Sequence, residues 1–186
     1  MRNNAAKVRL VVLDRDGVIN RESADFVKSA AEWQPLEGSI KAIAALSKGG
    51  FRVAVASNQS GLARGLFDYG ALYAMHEKMR DLVTAAGGRI DHIAICPHGP
   101  DADCECRKPR PGLLLQIGKH FGVEMTGVPF VGDSVRDLEA ALAAGARPIL
   151  VRSGNGRAAE KNLPSALRGV EVYDDLSAAA ATLLAE

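Results

Sequence analysis

The sequence predicts an α/β fold built on a parallel sheet, and three observations carry that expectation. Runs of apolar and β-branched residues alternate along the chain with stretches of helical periodicity. Most of the apolar runs are continuous rather than alternating, as strands covered on both faces require. Polar clusters rich in Asp, Ser and Asn follow those runs, which is where open α/β sheets bind their ligands. The order implies right-handed βαβ crossovers, and so a Rossmann-like sheet with helices on both faces and one domain over residues 1–186.

The elements follow in chain order. The first strand is expected over Val8–Leu13, an apolar run closed by Asp14-Arg15-Asp16-Gly17. A helix over Leu36–Lys48 groups Ile40, Ile43, Ala44 and Leu46 on one face and stops at Gly49-Gly50. Strand Phe51–Ala56 runs into Ser57-Asn58-Gln59-Ser60-Gly61, and helix Asp68–Ala86 ends at Gly87-Gly88. Strand Ile90–Cys96 and helix Pro111–Phe121 come next, then strand Pro129–Gly132 and helix Val135–Ala144. Strands Pro148–Arg152 and Val170–Tyr173 and helix Leu176–Ala185 complete the set. Arg15–Pro35, Pro97–Arg110 and Ser153–Ser165 carry no assignable element. Between Asp14 and Ser57 lie 42 residues, of which the helix and strand there take about half. No large cap domain fits, so Arg15–Pro35 reads as a flap over an otherwise open site.

Composition narrows the function classes. Lys+Arg 23 against Asp+Glu 22 leaves a net charge of +1, which argues against a dedicated nucleic-acid binder. No apolar window has the length of a membrane span, and the opening residues reach a charged Asp14 too soon for a signal peptide. Three cysteines within one short stretch do not suit a disulfide framework and point to a reducing cytoplasm. Nothing in the sequence demands an obligate dimer, and a monomer is expected.

Two constellations carry chemistry. Asp14 and Asp16, one residue apart at a strand end, can face one site, and Asp133 joins them from another strand end. Like charges so placed need a counter-cation, and hard oxygen ligands favour Mg²⁺. In the second, Cys96, His98, Cys104 and Cys106 fall within an 11-residue window. Three thiolates and one imidazole make the closed tetrahedral set of a structural zinc site, and the loop has too few apolar residues to hold itself by packing. Such a zinc would fix Arg107-Lys108, which follow directly. By contrast, His76, His92 and His120 read as packing or surface residues, Trp33 as an anchor of the flap and Arg110 as a solvated side chain.

Asp14-Arg15-Asp16-Gly17-Val18, Ser57-Asn58, Lys108-Pro109 and Gly132-Asp133-Ser134-Val135-Arg136-Asp137 resemble the four ordered motifs of the haloacid dehalogenase-like phosphatases, from about residue 8 to residue 152. That resemblance implies a phosphatase in which Asp14 is the nucleophile and forms an aspartyl-phosphate, while Asp16 acts in turn as general acid and base. It implies Mg²⁺ held by Asp14, the main-chain carbonyl of Asp16 and Asp133, with Ser57, Asn58 and Lys108 on the phosphoryl oxygens. Asp137 is left between two roles, a partner of Lys108 or the metal and a simple helix cap. The stretches CPH, CECRKP and SNQSGLARG narrow the resemblance to the heptose-bisphosphate phosphatases and the related histidinol phosphatases, with Ser60 to Gly65 more like the former. On this reading the substrate is a phosphorylated sugar, bound also by Gln59, Ser60, Arg64 and Arg107. The alternatives are a histidinol-phosphate phosphatase and a zinc-loop interaction module without catalysis.

Overall fold

A computed structural model describes residues 8–186. Six strands form one sheet in the order β3-β2-β1-β4-β5-β6, every neighbouring pair parallel. They are β1 (Arg9–Leu13), β2 (Phe51–Asn58), β3 (His92–Cys96), β4 (Pro129–Gly132), β5 (Arg147–Val151) and β6 (Glu171–Tyr173). The helices are α1 (Ser39–Lys48), α2 (Tyr69–Ala85), α3 (Gly112–Phe121), α4 (Val135–Ala143), α5 (Gly156–Lys161) and α6 (Leu176–Ala185), with a 3₁₀ turn at Ser165–Leu167. No helix among the described residues is long and apolar enough to cross a membrane.

The pleat divides the core. Val11 and Leu13 of β1, with Val53 and Val55 of β2, face α1, α2 and α6, while Leu10, Val12, Ala54 and Ala56 face α3 and α4. Both faces are dry, which is why these strands read as continuous apolar runs. Lys78 of α2 donates to the main-chain oxygens of Ala30 (2.6 Å) and Trp33 (2.8 Å), and the Trp33 side chain is fully buried. The 15–35 segment is therefore pinned to the body of the fold.

Local chemistry accounts for the differences from the expected boundaries. The first helix starts at Ser39 rather than Leu36 because Gly38, at φ 76°, is in the left-handed region, and Ser39 N–H closes a turn onto the Leu36 carbonyl. β2 continues through Ser57 and Asn58, which pair with Ile95 and Cys96. β3 starts at His92 rather than Ile90, since ahead of it the Asp91 carboxylate accepts from Val53 N–H at 2.9 Å. α5 lies within Ser153–Ser165, where no element was expected: six residues with one buried alanine side chain leave no periodicity to detect.

Candidate active site

The order β3-β2-β1-β4 puts the reversal of strand order between β1 and β4, and the carboxyl ends of those strands open there. A cavity of about 330 Å³ occupies that position. Its floor is Asp14, Ser57, Lys108, Asp133 and Asp137, and flap residues Glu22, Ser23, Ala24, Phe26 and Val27 form a wall.

Lys108 organises the floor. Its buried ammonium lies 2.7 Å from Asp14 Oδ1 and 2.6 Å from Asp137 Oδ1, and donates to the Ala56 carbonyl at 2.9 Å. Asp14 Oδ1 also accepts from Arg15 N–H at 2.7 Å. Asp137 Oδ2 accepts from Ser134 N–H (3.0 Å) and Ser134 Oγ (2.6 Å), which closes the capping box of α4. Both roles left open for Asp137 are thus visible at once, one on each oxygen. Asp133 Oδ2 accepts from Asn155 N–H at 2.8 Å.

Oxygens of Asp14, Asp133 and Asp137 lie within 4.8 Å of one another. Burial first, then Asp137 and Asp133, drive the Asp14 carboxyl well above the usual range against the pull of Lys108. Burial and Asp137 push Asp133 up to about 7. One ammonium does not balance three buried carboxylates, and a divalent cation relieves the crowding. Asp137 has a donor on each oxygen, so among the described residues the carboxylate oxygens here without a donor are Asp14 Oδ2 and Asp133 Oδ1. That donor set suits a hard cation such as Mg²⁺. Two glycines make room: a Cβ at Gly17 (φ 81°) or Gly154 (φ 55°) would run into the Asp133 carboxylate.

Asp16 stands apart. Burial raises its carboxyl, yet Arg15, with donors from Asn20 and Gln59, holds it below the usual carboxylate range. Its Oδ1 accepts from Arg15 Nη2 (2.8 Å) and Asn20 Nδ2 (2.9 Å), and its Oδ2 from Gln59 Nε2 (3.0 Å). Gln59 Nε2 also donates to Ser57 Oγ at 2.7 Å, which leaves the Ser57 hydroxyl hydrogen free to point elsewhere.

Of the residues expected on substrate, Ser57, Ser60, Arg64, Arg107 and Lys108 all line the cavity. Gln59 and Asn58 line it too, but their amides are engaged inside the protein. Asn58 brackets the Lys108 backbone, accepting from its N–H (3.1 Å) and donating to its carbonyl (3.2 Å). Two contributors, Arg15 and Arg136, escaped the sequence reading, and a third, Asn155, belongs to the Ser153–Gly156 turn, which from sequence could touch substrate but reads more plainly as a flexible turn. Arg15 is a buried arginine that looks like a spacer between two aspartates. Asn155, in a Ser-Gly-Asn-Gly turn, donates its N–H to Asp133 and its side-chain amide to Glu22 of the flap. Arg136 lines the cavity mouth. For Asn155 the signal was present, since its turn directly follows a strand.

The cysteine loop closes on itself. Cys106 Sγ is 3.2 Å from Cys96 Sγ and 3.2 Å from His98 Nδ1, and Cys96 Sγ is 3.6 Å from His98 Nδ1 and 3.8 Å from Cys104 Sγ. A tetrahedron with metal–sulfur bonds of ~2.3 Å has edges of about 3.8 Å, and these contacts lie at or inside that length, so the four atoms are gathered closely enough for one zinc to reach them all. Without a cation, burial and the neighbouring thiols push Cys106 up to about 12. His92 and His120, by contrast, stack on each other with centroids 4.1 Å apart and reach neither cluster.

A HAD-hydrolase-like family model matches residues 105–179. The chain belongs to the haloacid dehalogenase-like phosphatases. It is 53% identical over 176 residues to the D-glycero-beta-D-manno-heptose-1,7-bisphosphate 7-phosphatase of Pseudomonas aeruginosa, covering 94% of this chain and 97% of that one. The enzyme of that name from Bordetella bronchiseptica is 51% identical over 181 residues, covering 96% and 99%. The crystal structure of D,D-heptose 1,7-bisphosphate phosphatase from B. bronchiseptica, complexed with magnesium and phosphate, superposes with a TM-score of 0.92 at 50% identity over 96% of this chain and 99% of that chain. That of the Burkholderia thailandensis enzyme gives 0.75 at 43% identity over 96% and 99%.

Proposed function

We propose that the protein removes the 7-phosphate of D-glycero-D-manno-heptose 1,7-bisphosphate by way of an aspartyl-phosphate on Asp14. The observation that carries the chemistry is a nucleophile held in one orientation. Asp14 Oδ1 is fixed by Lys108 and by Arg15 N–H, while its second oxygen has no donor among the described residues. The substrate is read from the likeness over nearly the whole chain to enzymes named for it.

The Asp14 carboxylate attacks phosphorus, the bond to the sugar oxygen breaks, and Asp16 supplies the proton that oxygen needs. Asp16, now a carboxylate with donors from Arg15, Asn20 and Gln59, takes a proton from the water that hydrolyses the aspartyl-phosphate. The proton so acquired is the one delivered to the leaving oxygen of the next turnover, and the cycle balances. Ser57 O–H and the Lys108 ammonium bind the phosphoryl oxygens, with Asn58 and Gln59 positioning Lys108 and Ser57. Mg²⁺ held by Asp14, Asp133 and the main-chain carbonyl of Asp16 would supply charge neutralisation of the phosphoryl group. A structural zinc held by Cys96, His98, Cys104 and Cys106 would fix Arg107-Lys108. Arg64 and Arg107 give the cavity cations for the phosphate that is not hydrolysed. The same proposal has the chain working as a monomer in the cytoplasm, as one domain over residues 1–186.

The test compares kcat/KM for the heptose bisphosphate, as each anomer, with histidinol phosphate and a mononucleotide. Preference for the bisphosphate by a factor of ten or more is expected. Preference for histidinol phosphate overturns the substrate and leaves the covalent mechanism standing.

A further inference from the structure

Four arginines line the cavity, and three of them have directed partners. Arg15 is paired with Asp16 at 2.8 Å, Arg64 lies over the Phe26 ring at 5.7 Å, and Arg107 donates to the His98 carbonyl at 3.2 Å. Arg136 makes no hydrogen bond or ion pair among the described residues, and it is exposed at the mouth.

Its position makes that absence informative. Arg136 occupies the first turn of α4, the positive end of a helix dipole, where a cation is disfavoured and an anion favoured. The remaining charge in that turn is Asp137, which is buried and already engaged by Lys108 and Ser134. The Glu22 carboxylate of the flap lies close enough to be drawn down by Arg136 but forms no ion pair with it, so this surface cation is set against its own helix without a direct partner, a local conflict of the kind that function retains.

The fold also gives Arg136 a companion. Lys108 and Asp137 are joined at 2.6 Å, and their chain neighbours are Arg107 and Arg136. The ion pair ties together the two segments that carry these arginines, and both side chains line the cavity. Neither forms an ion pair with a carboxylate among the described residues, and two guanidinium groups lining one cavity are suited to oxygens of a phosphate dianion.

We propose that Arg136 is a specificity-determining residue that joins Arg107 in holding the second, unreacted phosphate of a sugar bisphosphate. The inference rests on the bisphosphate reading given above. It concerns the remote end of the substrate alone, and Arg136 touches no reacting atom.

The experiment measures a selectivity: kcat/KM for heptose 1,7-bisphosphate divided by kcat/KM for heptose 7-phosphate, which lacks the second phosphate. The quotient does not depend on how much of a variant is folded, so a poorly behaved variant still gives an answer. Arg136→Ala and Arg136→Gln are expected to lower it about tenfold, chiefly through KM for the bisphosphate, and Arg136→Lys to keep part of it. Arg107→Ala run beside them calibrates the effect of losing one guanidinium. A wild-type enzyme that favours the bisphosphate, with a quotient within twofold of wild type in Arg136→Ala, overturns the role of Arg136 and spares the substrate reading. A wild-type enzyme that makes no distinction between the two sugars overturns both.

Discussion

Asp137→Asn is the sharpest test of how the floor of the site is held together. The side chain is 1% exposed and both its oxygens are engaged, Oδ1 by Lys108 at 2.6 Å and Oδ2 by Ser134 N–H and Oγ at 3.0 and 2.6 Å. Asparagine keeps one acceptor. If that oxygen stays on the α4 cap, an NH₂ group faces the Lys108 ammonium, donor against donor; if it turns to Lys108, the cap is lost. Breaking one partner out of a buried ion pair costs about 3–5 kcal/mol. Here two effects offset the loss: Lys108 keeps Asp14 and the Ala56 carbonyl, and the crowding of three carboxylates falls to two. The net expectation is about 2–3 kcal/mol, which for a chain of this size is about 4–12 °C in Tm. Asp137→Ala should lose about 1 kcal/mol more, because no acceptor remains for Ser134. Thermal melts in metal-free buffer read both. Turnover should fall as well, since Lys108 is then drawn more tightly onto Asp14. A Tm for Asp137→Asn within about 1 °C of wild type would refute the view that this pair stabilises the site, and Asp137→Ala melting no lower than Asp137→Asn would refute the cap.

Asp14→Asn removes the proposed nucleophile while preserving shape, so turnover should fall by at least about 10³-fold with the circular dichroism spectrum unchanged; near wild-type turnover excludes the covalent route. Asp133, pushed up to about 7, keeps its proton in the metal-free fold well above the pH at which the unfolded chain releases it. The folded state then binds more protons, so metal-free stability should decline as pH rises from about 4 to about 7, and Mg²⁺ should raise Tm more at pH 7.5 than at pH 5. A Tm shift with Mg²⁺ that does not depend on pH counts against Asp133 as its ligand. Elemental analysis of protein purified without added metal should give one zinc per chain, and Cys104→Ser should lose it; zinc-free protein of full stability contradicts the assignment. Arg107→Ala should weaken bisphosphate turnover by roughly 1.5–3 kcal/mol, the scale of one charge-assisted hydrogen bond, and leave an aryl phosphate nearly untouched.

The sheet was legible because its strands are buried on both faces and read as unbroken apolar runs, Leu10 to Leu13 being the plainest. The site was legible for a related reason: a parallel sheet presents its strand ends on one edge, so Asp14, Ser57 and Asp133 converge wherever the helices lie. The short helix Gly156–Lys161 was not, because one buried side chain has no period. Asn58 and Gln59 show the other limit. Their residue type announces hydrogen bonding, but the donors go to Lys108, Ser57 and Asp16, a choice made by neighbours 50, 2 and 43 positions away. Arg15 was hidden because a lone arginine reads as a surface residue, whereas folding buries it to 1% exposure against Asp16.

The cysteine loop and the catalytic floor are one mechanical unit. A buried ammonium between two carboxylates is favourable only if its geometry is held, since a misplaced charge keeps its desolvation penalty and loses its attraction. Lys108 belongs to the stretch between β3 and α3, which has neither helix nor strand to stiffen it. Three connections replace that stiffness. Asn58 grips its backbone from β2, the Ala56 carbonyl receives its ammonium, and two residues upstream Cys106 joins the Cys96, His98 and Cys104 cluster. The cluster is tied in turn to the residue just past β2, where Gln59 N–H donates to the Cys96 carbonyl at 2.7 Å, and to α3, where Gly112 N–H donates to the Glu105 carbonyl at 3.0 Å. A Cβ at Gly112 would collide with that carbonyl, so loop and helix approach too closely for any other residue. Loss of the zinc proposed for the loop should therefore show itself first as disorder around Lys108 and lost turnover, with the sheet still folded, because among the described residues the loop meets the apolar core chiefly through Cys96, Cys104, Cys106 and the Lys108 ammonium over Phe130.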